Sequence, residues 1–415
     1  MGRRWWVATA AVLLAATACS ARSPTMTTAA PSRPSAPTSI SAPQSDATQS
    51  DATQSSASSA PSAPPKSTPA PPLSRARQIL AGMSLAERVG QLLMVDCPST
   101  EVGLDTVVAI GRYHVGSVIL DHTSFLTPQQ TSTIVTLLTQ RASPNVGLFV
   151  ATDQEGGQVQ RLLGPGFTTI PTAVQQGTLT PATLRRQAQQ WGSELHAAGV
   201  NVNLAPVLDT VPSGFGPNPP VGDLNREYGR DPASVSSHGN AFAQGMQAAG
   251  VAATVKHFPG LGRVSGNTDL TPGVLDTVTT RHDPYLAPFA DAIRQGVGFV
   301  MISTAIYTKI DRDQPAAFSP TIVTGMLRGD LRFRGVIISD DVGISKQLSG
   351  TTVADRAVKF IAAGGDIVLT VDATQAPAMT AALIARATRD PKFKRQVDAA
   401  ALVVLQAKQA HGLLH

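Results

Sequence analysis

The stretch that decides the fold is Gly335-Val-Ile-Ile-Ser-Asp-Asp341. Its aliphatic residues follow one another instead of alternating with polar residues, which is typical of a parallel strand buried on both faces. The run then ends abruptly in two carboxylates. A short apolar run of this kind, followed by a longer segment of helical periodicity, recurs throughout the chain after residue 75.

Eight such runs predict eight strands. They are Leu92–Cys97, Gly116–Asp121, Gly147–Asp153, Val200–Asp209, Ala253–Phe258, Phe299–Thr304, Gly335–Asp341 and Asp366–Asp372. Several helix starts between them place a capping oxygen before a proline: Thr127-Pro128, Thr180-Pro181, Asp231-Pro232 and Ser319-Pro320. The alternation predicts an α/β fold, a (β/α)8 TIM-type barrel. An open doubly wound sheet is the alternative; its dinucleotide-binding form is disfavoured because no Gly-x-Gly-x-x-Gly follows the first strand.

Composition excludes several classes of protein. The chain has 415 residues, 42% of them hydrophobic and 15% charged, with a formal net charge of +5. So small a surplus, with no basic run interleaved with aromatics, predicts no nucleic acid partner. Cys19 and Cys97 are the only cysteines, which excludes a disulfide framework and a cysteine-rich zinc site. Neither His-x-His nor His-Glu-x-x-His occurs, so we expect no metal and no cofactor.

The N-terminal segment indicates export. Arg3 and Arg4 precede an apolar run over residues 5–18, which leads directly into Cys19. The segment resembles a bacterial lipoprotein signal, which implies that residues 1–18 are removed and that Cys19 is lipidated. An ordinary secretory signal cut nearby is the alternative. With the lipid, the protein is expected to be anchored to the cell membrane and to face the extracytoplasmic side.

Residues 19–73 are rich in Ser, Thr, Pro and Ala and contain no aromatic residue. Such a segment cannot bury enough apolar surface to offset the entropy of ordering it, so we predict a disordered tether. The remaining residues, 74–415, then form one barrel domain, in which Cys97 is expected to be a buried, unpaired residue.

Polar residues stand where the predicted strands end. They are Asp121, Asp153, Asp209, Lys256-His257, Ser303-Thr304, Asp340-Asp341 and Asp372. One aspartate at such a place commonly caps a helix or forms a turn. Barrel enzymes, however, keep their active sites at this face, and so many charged residues meeting there suit a polyhydroxylated ligand and acid/base chemistry.

Three motifs carry a resemblance to a known family. They are Asp153-Gln-Glu-Gly-Gly-Gln-Val-Gln-Arg161, Lys256-His-Phe-Pro-Gly260, and the stretch from Ser319-Pro320 into Ser339-Asp-Asp341. From about residue 76 to about residue 405 the chain resembles family 3 glycoside hydrolases. The likeness is greatest to the single-barrel β-N-acetylglucosaminidases of bacterial cell-wall recycling, which include exported lipoproteins.

The resemblance implies a role for each matching position. Asp340 would be the nucleophile of a retaining mechanism. For Asp341, the residues themselves favour a cap or a hydrogen-bonding support for the following loop. The residues expected to bind the hydroxyls of the terminal sugar are Asp153, Arg161, Arg226, Lys256 and His257. Without the family, His257 would be interpreted as a packed strand-end histidine that bonds to the backbone.

The sequence departs from the family at the acid/base. The N-acetylglucosaminidases carry an Asp-Ser-His triplet after the fifth strand, whereas this chain has Asn267-Thr-Asp269. Two further family histidines are replaced by Leu261 and Thr304. Asp269 could serve as the acid/base itself, with its pKa raised by burial and by Asp340. Otherwise another loop supplies the acid, or the barrel binds sugar without turnover.

The resemblance therefore implies a retaining, exo-acting β-glycosidase of the β-N-acetylhexosaminidase kind that acts on terminal β-linked sugars of cell-wall or related glycans. We also expect a monomer. Two alternatives are a β-glucosidase-type specificity and a catalytically impaired sugar-binding lipoprotein. From the residues alone, Lys256 could also be the Schiff-base lysine of an aldolase-like barrel. The phosphate-binding loop common in such barrels is disfavoured, because Ala373-Thr-Gln-Ala-Pro377 contains no glycine.

Overall fold

The computed structural model describes residues 74–415. The predicted signal peptide, Cys19 and the predicted tether lie outside the described residues. Eight parallel strands form the centre of the described part: β1 Leu93–Pro98, β2 Ser117–Asp121, β3 Phe149–Thr152, β4 Val202–Asn203, β5 Ala252–Phe258, β6 Phe299–Ile302, β7 Val336–Ser339 and β8 Val368–Thr370.

These strands form a closed barrel. Their order is β7-β6-β5-β4-β3-β2-β1-β8, and each ladder between neighbours is parallel. β7 and β8, at the two ends of that order, also bond to each other, because Ile338 forms a parallel bridge with Ile367 and the Ser339 N–H donates to the Ile367 carbonyl at 2.9 Å. The (β/α)8 prediction is confirmed, and the open-sheet alternative is wrong.

The strand ends differ from the predictions, most of all in β4. A strand was expected over Val200–Asp209, whereas the regular ladder covers only Val202–Asn203. Pro206 lies within this stretch and has no N–H to donate to a ladder. The segment nevertheless continues beside β5, since the Leu208 N–H donates to the Lys256 carbonyl at 2.7 Å. It therefore still delivers Asp209 to the carboxyl end of the barrel.

Helices surround the strands. They are α1 Arg75–Gly82, α2 Leu85–Gly90, α3 Leu104–Tyr113, α4 Pro128–Thr139, α5 Ala173–Gln176, α6 Pro181–Ala197, α7 Pro232–Ala248, α8 Ala287–Arg294, α9 Val353–Ala363, α10 Ala376–Arg389 and α11 Pro391–Ala410. A wider, π-type helix, Thr321–Asp330, follows β6. Short 3-10 turns complete the set at Gly222–Leu224, Pro284–Leu286, Ala316–Phe318, Lys346–Leu348 and Ala373–Gln375.

The predicted capping device is confirmed at three helix starts. Thr127, Thr180 and Asp231 each accept a backbone N–H from the first turn of the helix that follows. At the fourth position, Ser319 Oγ accepts from the Ile322 N–H at 3.2 Å, just ahead of the π-type helix. Within residues 74–415, no helix is both long enough and apolar enough to cross a membrane.

The amino end of the barrel is closed by packing. Phe149 and Phe299 begin β3 and β6, and their rings meet edge to face with centroids 5.2 Å apart. Beneath them the fully buried Lys408 of α11 donates to the Gly116 carbonyl at 2.8 Å and lies 5.5 Å from the Phe149 ring centre. Cys97 is buried and unpaired, as expected. A closed lower end leaves the carboxyl ends of the strands as the side on which a ligand can enter.

Candidate active site

A cavity of about 320 Å³ opens at the carboxyl ends of the strands. All seven predicted catalytic and binding residues line it: Asp153, Arg161, Arg226, Lys256, His257, Asp269 and Asp340. Asp121 and Asp341 line it too, whereas Asp209 is buried behind the wall and Asp372 caps the 3-10 turn Ala373–Gln375. Apolar side chains in the strands, or directly after β4, form part of the lining: Ile119, Leu204, Met301 and Leu369.

Two cations that line the cavity share a buried carboxylate. Glu155 accepts two hydrogen bonds from Arg226, at 2.7 and 2.8 Å, and forms an ion pair with Lys256 Nζ at 2.6 Å. Lys256 Nζ also donates to Asp153 at 2.6 Å. Burial alone would raise the pKa of Glu155, but the charges of Arg226 and Lys256 outweigh it and lower that pKa to about 2.

Lys256 responds in the opposite sense. Burial alone would lower its pKa, but the charges of Asp153 and then Glu155 outweigh burial and raise it. The ammonium group therefore stays protonated and held in one place. The cluster presents fixed donors and acceptors at one wall of the cavity, as recognition of a polyhydroxylated ligand requires.

A glycine pair positions Arg161 at the rim. Gly156 and Gly157 turn a short hairpin, Gln154–Gly156 with Val159–Gln160, and adopt φ angles of +110° and +59°. A Cβ on Gly156 would lie 2.3 Å from the Pro171 carbonyl oxygen, so the turn has no room for a side chain. The hairpin brings Arg161 back to the barrel mouth, where its Nε lies 3.2 Å from an Asp121 oxygen.

His257 is oriented from behind by Asp209. One Asp209 oxygen lies 2.6 Å from His257 Nδ1, and the other accepts the backbone N–H groups of His257 at 3.0 Å and Leu261 at 2.8 Å. With Nδ1 held in this way, Nε2 is the ring nitrogen left to contact a ligand. A merely packed histidine was expected to bond to the backbone, whereas this ring bonds to the Asp209 carboxylate.

Asp340 and Asp341 follow β7 and differ in their surroundings. Asp340 lines the cavity, and one of its oxygens accepts the Asp341 N–H at 2.9 Å. Asp341 accepts the backbone N–H groups of Gly343 at 2.8 Å and Val371 at 3.3 Å, as expected for a residue that supports its loop. Burial raises the pKa of Asp341 to about 7, against the opposing effect of those two hydrogen bonds.

Asp269 enters the same cavity from the loop after β5. Its N–H donates to the Asn267 side-chain oxygen at 2.9 Å, an Asx turn that holds the loop tip. The residue is solvent-exposed at the mouth of the cavity, but the surrounding protein removes part of the water around its carboxyl group. This partial desolvation, and next the charge of Asp340, raise the pKa of Asp269 to about 6. Both causes anticipated from the sequence are therefore present.

The sequence analysis gave no role to Glu155 and only a place at the barrel mouth to Asp209, yet both hold residues of the site. Glu155 lies inside the Asp153–Arg161 motif, two residues after Asp153, and this spacing was a usable signal. Nothing local to Asp209 connects it to His257, which is 48 residues away. Among residues 74–415, no group of three or more His, Cys, Asp or Glu side chains is arranged to hold a metal ion.

Comparison with known proteins identifies the family. Residues 84–406 match the model of the glycosyl hydrolase family 3 N terminal domain. A beta-hexosaminidase of Stenotrophomonas maltophilia is 33% identical over 289 residues, which make up 67% of this chain and 82% of that protein.

Solved structures agree with this match. The crystal structure of a beta-N-acetylhexosaminidase from Beutenbergia cavernae is 50% identical, with a TM-score of 0.78 over 79% of this chain and 99% of that one. A glycoside hydrolase family 3 beta-N-acetylglucosaminidase from Paenibacillus sp. is 32% identical, with a TM-score of 0.73 over 80% of this chain and 63% of that one. With a barrel whose mouth carries the family's motifs, the chain belongs to glycosyl hydrolase family 3 and is a glycoside hydrolase.

Proposed function

We propose that the protein is a retaining, exo-acting β-N-acetylhexosaminidase that releases terminal β-linked sugars from cell-wall or related glycans. The observation that carries this proposal is the pair of carboxyl groups, Asp340 and Asp269, which line one cavity and interact electrostatically. The likeness to the beta-N-acetylhexosaminidase of Beutenbergia cavernae supports the choice of sugar.

In the first step Asp340 attacks C1 of the terminal sugar and forms a covalent glycosyl ester. The glycosidic C–O bond breaks, and the departing oxygen takes the proton of Asp269. A retaining enzyme places the two carboxyl groups about 5–5.5 Å apart for this purpose. A pKa of about 6 leaves Asp269 protonated in mildly acidic solution, as a general acid requires.

In the second step Asp269, now ionised, takes a proton from water as that water attacks C1. The bond from C1 to the Asp340 oxygen breaks, which releases the sugar with its original configuration and returns both groups to their starting states. Donors and acceptors of the Glu155 cluster would hold the hydroxyls of the sugar meanwhile. Contacts that tighten as positive charge develops on the ring stabilise the transition state more than the bound substrate, and they therefore lower the free-energy barrier.

The Schiff-base alternative is disfavoured by the state of Lys256. A lysine that forms an imine must lose its proton, which requires a lowered pKa. Here Asp153 and Glu155 raise the pKa of Lys256, against the effect of burial. Lys256 is accordingly assigned to substrate binding.

Trapping of the intermediate tests the proposal. The protein would be incubated with 2-fluoro-glucosyl fluoride or with 5-fluoro-N-acetylglucosaminyl fluoride, and its intact mass and peptide map measured. We expect a label on Asp340, formed faster with the N-acetylglucosamine reagent. Faster labelling by the glucose reagent would indicate β-glucosidase-type specificity. No label, together with no turnover of an aryl glycoside, would indicate the sugar-binding alternative.

We further propose that the mature protein is a monomer tethered to the outer side of the cell membrane through a lipid on Cys19. Arg3, Arg4 and the apolar run that precedes Cys19 support export. The native protein is expected to enter the detergent phase on phase separation, and a Cys19→Ser variant to remain in the aqueous phase. Equal partitioning of both would refute the anchor. Sedimentation of residues 74–415 tests the oligomeric state, and we expect the mass of one chain.

A further inference from the structure

The loop that carries Asp269 is bonded directly to the loop that follows the nucleophile. Ser345 Oγ donates to the Thr268 carbonyl at 2.8 Å, and the Gln347 N–H donates to the same carbonyl at 3.0 Å. The Lys346 N–H reaches the Asp269 carbonyl at 3.3 Å. Three successive residues of one loop therefore hold the backbone on which Asp269 stands.

A second set of contacts fixes the far end of the same loop. The Gln347 side-chain oxygen accepts the Val274 N–H at 2.8 Å, and its amide nitrogen donates to the Val274 carbonyl at 3.2 Å. One primary amide thus pairs with both polar groups of a single residue. Asp269 lies between the two attachment points, Thr268 and Val274, so its loop is held both before and after this residue.

The loop after β7 is itself rigidly held. Asp341 accepts the Gly343 N–H, and the Arg356 guanidinium donates to the Val342 carbonyl at 2.6 Å and to the Gly343 carbonyl at 2.9 Å. This segment continues directly from Asp340. Movement of the Asp269 loop relative to the nucleophile would therefore require that the contacts of Ser345 and Gln347 break.

Apart from these contacts, the tip of the Asp269 loop is weakly supported. Leu270 is 73% exposed, Gly273 adopts a φ of +73°, and Leu270 and Thr271 bond back to Asn267 within the tip itself. Local turns of this kind set the shape of the tip but not its distance from β7. That distance depends on the contacts between the two loops, together with the Ile306 N–H, which donates to the Val274 carbonyl at 3.1 Å.

We propose that Gln347, aided by Ser345, is a positioning residue that holds the Asp269 carboxyl group at reactive distance from Asp340. The inference rests on the proposed function, because it assigns Asp269 the proton-transfer role. Gln347 touches neither carboxyl group and acts through the backbone of residues 268–274. Glutamine suits the position because one side chain must both donate to and accept from Val274; glutamate would set an acceptor against the Val274 carbonyl.

The test compares Gln347→Leu and Ser345→Ala with a matched control, Gln247→Leu. Gln247 also donates a side-chain hydrogen bond across two segments, to the Gly296 carbonyl at 3.1 Å, but it does not line the cavity. Each variant is assayed for kcat/KM with an alkyl N-acetylglucosaminide, whose departure needs protonation, and with a dinitrophenyl N-acetylglucosaminide, whose departure does not. The rate of labelling by the 5-fluoro fluoride reagent reports the nucleophile alone.

A displacement of about 1 Å costs on the order of 100-fold in rate, so Gln347→Leu should lower kcat/KM for the alkyl glycoside by about 100-fold. Ser345→Ala should lower it by about tenfold, since it removes one of several contacts. Neither variant should change labelling or cleavage of the dinitrophenyl glycoside by more than about threefold. Gln247→Leu should change no rate. The basic limb of the pH profile should also shift to lower pH in Gln347→Leu, because more water around the Asp269 carboxyl group would lower its pKa.

Equal losses with both substrates at an unchanged labelled fraction, or no loss with either, would overturn the positioning role. A variant that merely folds poorly loses active sites, so all its rates fall together with the labelled fraction, and Ser345→Ala then serves as the milder test. Failure of the proposed function is distinguishable, because the unmodified protein would itself show neither labelling nor turnover.

Discussion

Replacement of Asp269 by asparagine tests the chemistry most directly. Asparagine keeps the size of the side chain and its accessibility from the cavity, but it cannot transfer a proton. The N–H contact from Asp269 to Asn267 involves the backbone and is retained. We therefore expect Asp269→Asn to fold normally and to lose catalysis in proportion to the need of the leaving group for protonation.

The structure sets the size of the effect and its dependence on pH. General acid catalysis contributes about 10²–10⁴-fold, so an alkyl glycoside should lose about 10³-fold in kcat/KM at about pH 5, where Asp269 is almost fully protonated. With a pKa of about 6, only about one-tenth of Asp269 is protonated at about pH 7. The unmodified protein is slower there, so the loss should shrink to about 10²-fold.

Initial rates from about pH 4.5 to about pH 8 would check this, with Asp313→Asn, an exposed carboxylate outside the cavity, as the control. The unmodified protein should show a basic limb near pH 6, and Asp269→Asn should lack it. Kcat/KM for a dinitrophenyl glycoside should fall by less than about tenfold. Azide should raise kcat of the variant for the dinitrophenyl glycoside, because it attacks the glycosyl ester in place of water and yields a β-glycosyl azide. A basic limb that persists in Asp269→Asn, or equal losses on both substrates, would refute the reasoning.

Three further substitutions test the surrounding structure. Glu155→Gln removes the negative charge that compensates two buried cations, and it should lower the free energy of unfolding by about 3–5 kcal/mol in urea titrations. Because the pKa of Glu155 is lowered to about 2, its stabilisation should be complete above about pH 4.5 and fade as pH falls toward 2; an unchanged variant would contradict this. Asp209→Asn should reverse the tautomer of His257 and lower kcat/KM by about tenfold, with little change in the free energy of unfolding. A large loss of stability alongside the loss of activity would indicate a structural role. Burial lowers the pKa of Lys408 from 10.5 to about 7, so the unfolded state binds more protons between those values, and the free energy of unfolding should rise from about pH 7 to about pH 10 by a few kcal/mol. Lys408→Met should remove this rise, and its persistence in the variant would contradict the assignment.

The strands and helix starts could be predicted because their signals are local. Consecutive aliphatic residues mark a strand buried on both faces, and an oxygen before a proline satisfies the first N–H groups of a helix wherever the chain lies. The predicted strand over Val200–Asp209 was too long because hydrophobicity continues through Pro206, while regular strand pairing does not. Periodicity reports burial, and burial persists where the ladder ends.

The sequence by itself also indicated that Asp153, Lys256-His257 and Asp340 meet at the cavity, since parallel strands bring all their carboxyl ends to one face. The family resemblance added Arg161, Arg226 and Asp269. Only the tertiary structure decided how those residues act on one another. The sharing of Glu155 by two cations, the orientation of His257 and the attachment of the Asp269 loop through Gln347 join residues that lie 48 to 101 positions apart. Contacts of that kind, and the loss of water that raises the pKa of Asp269, depend on distances that exist only once the barrel has closed.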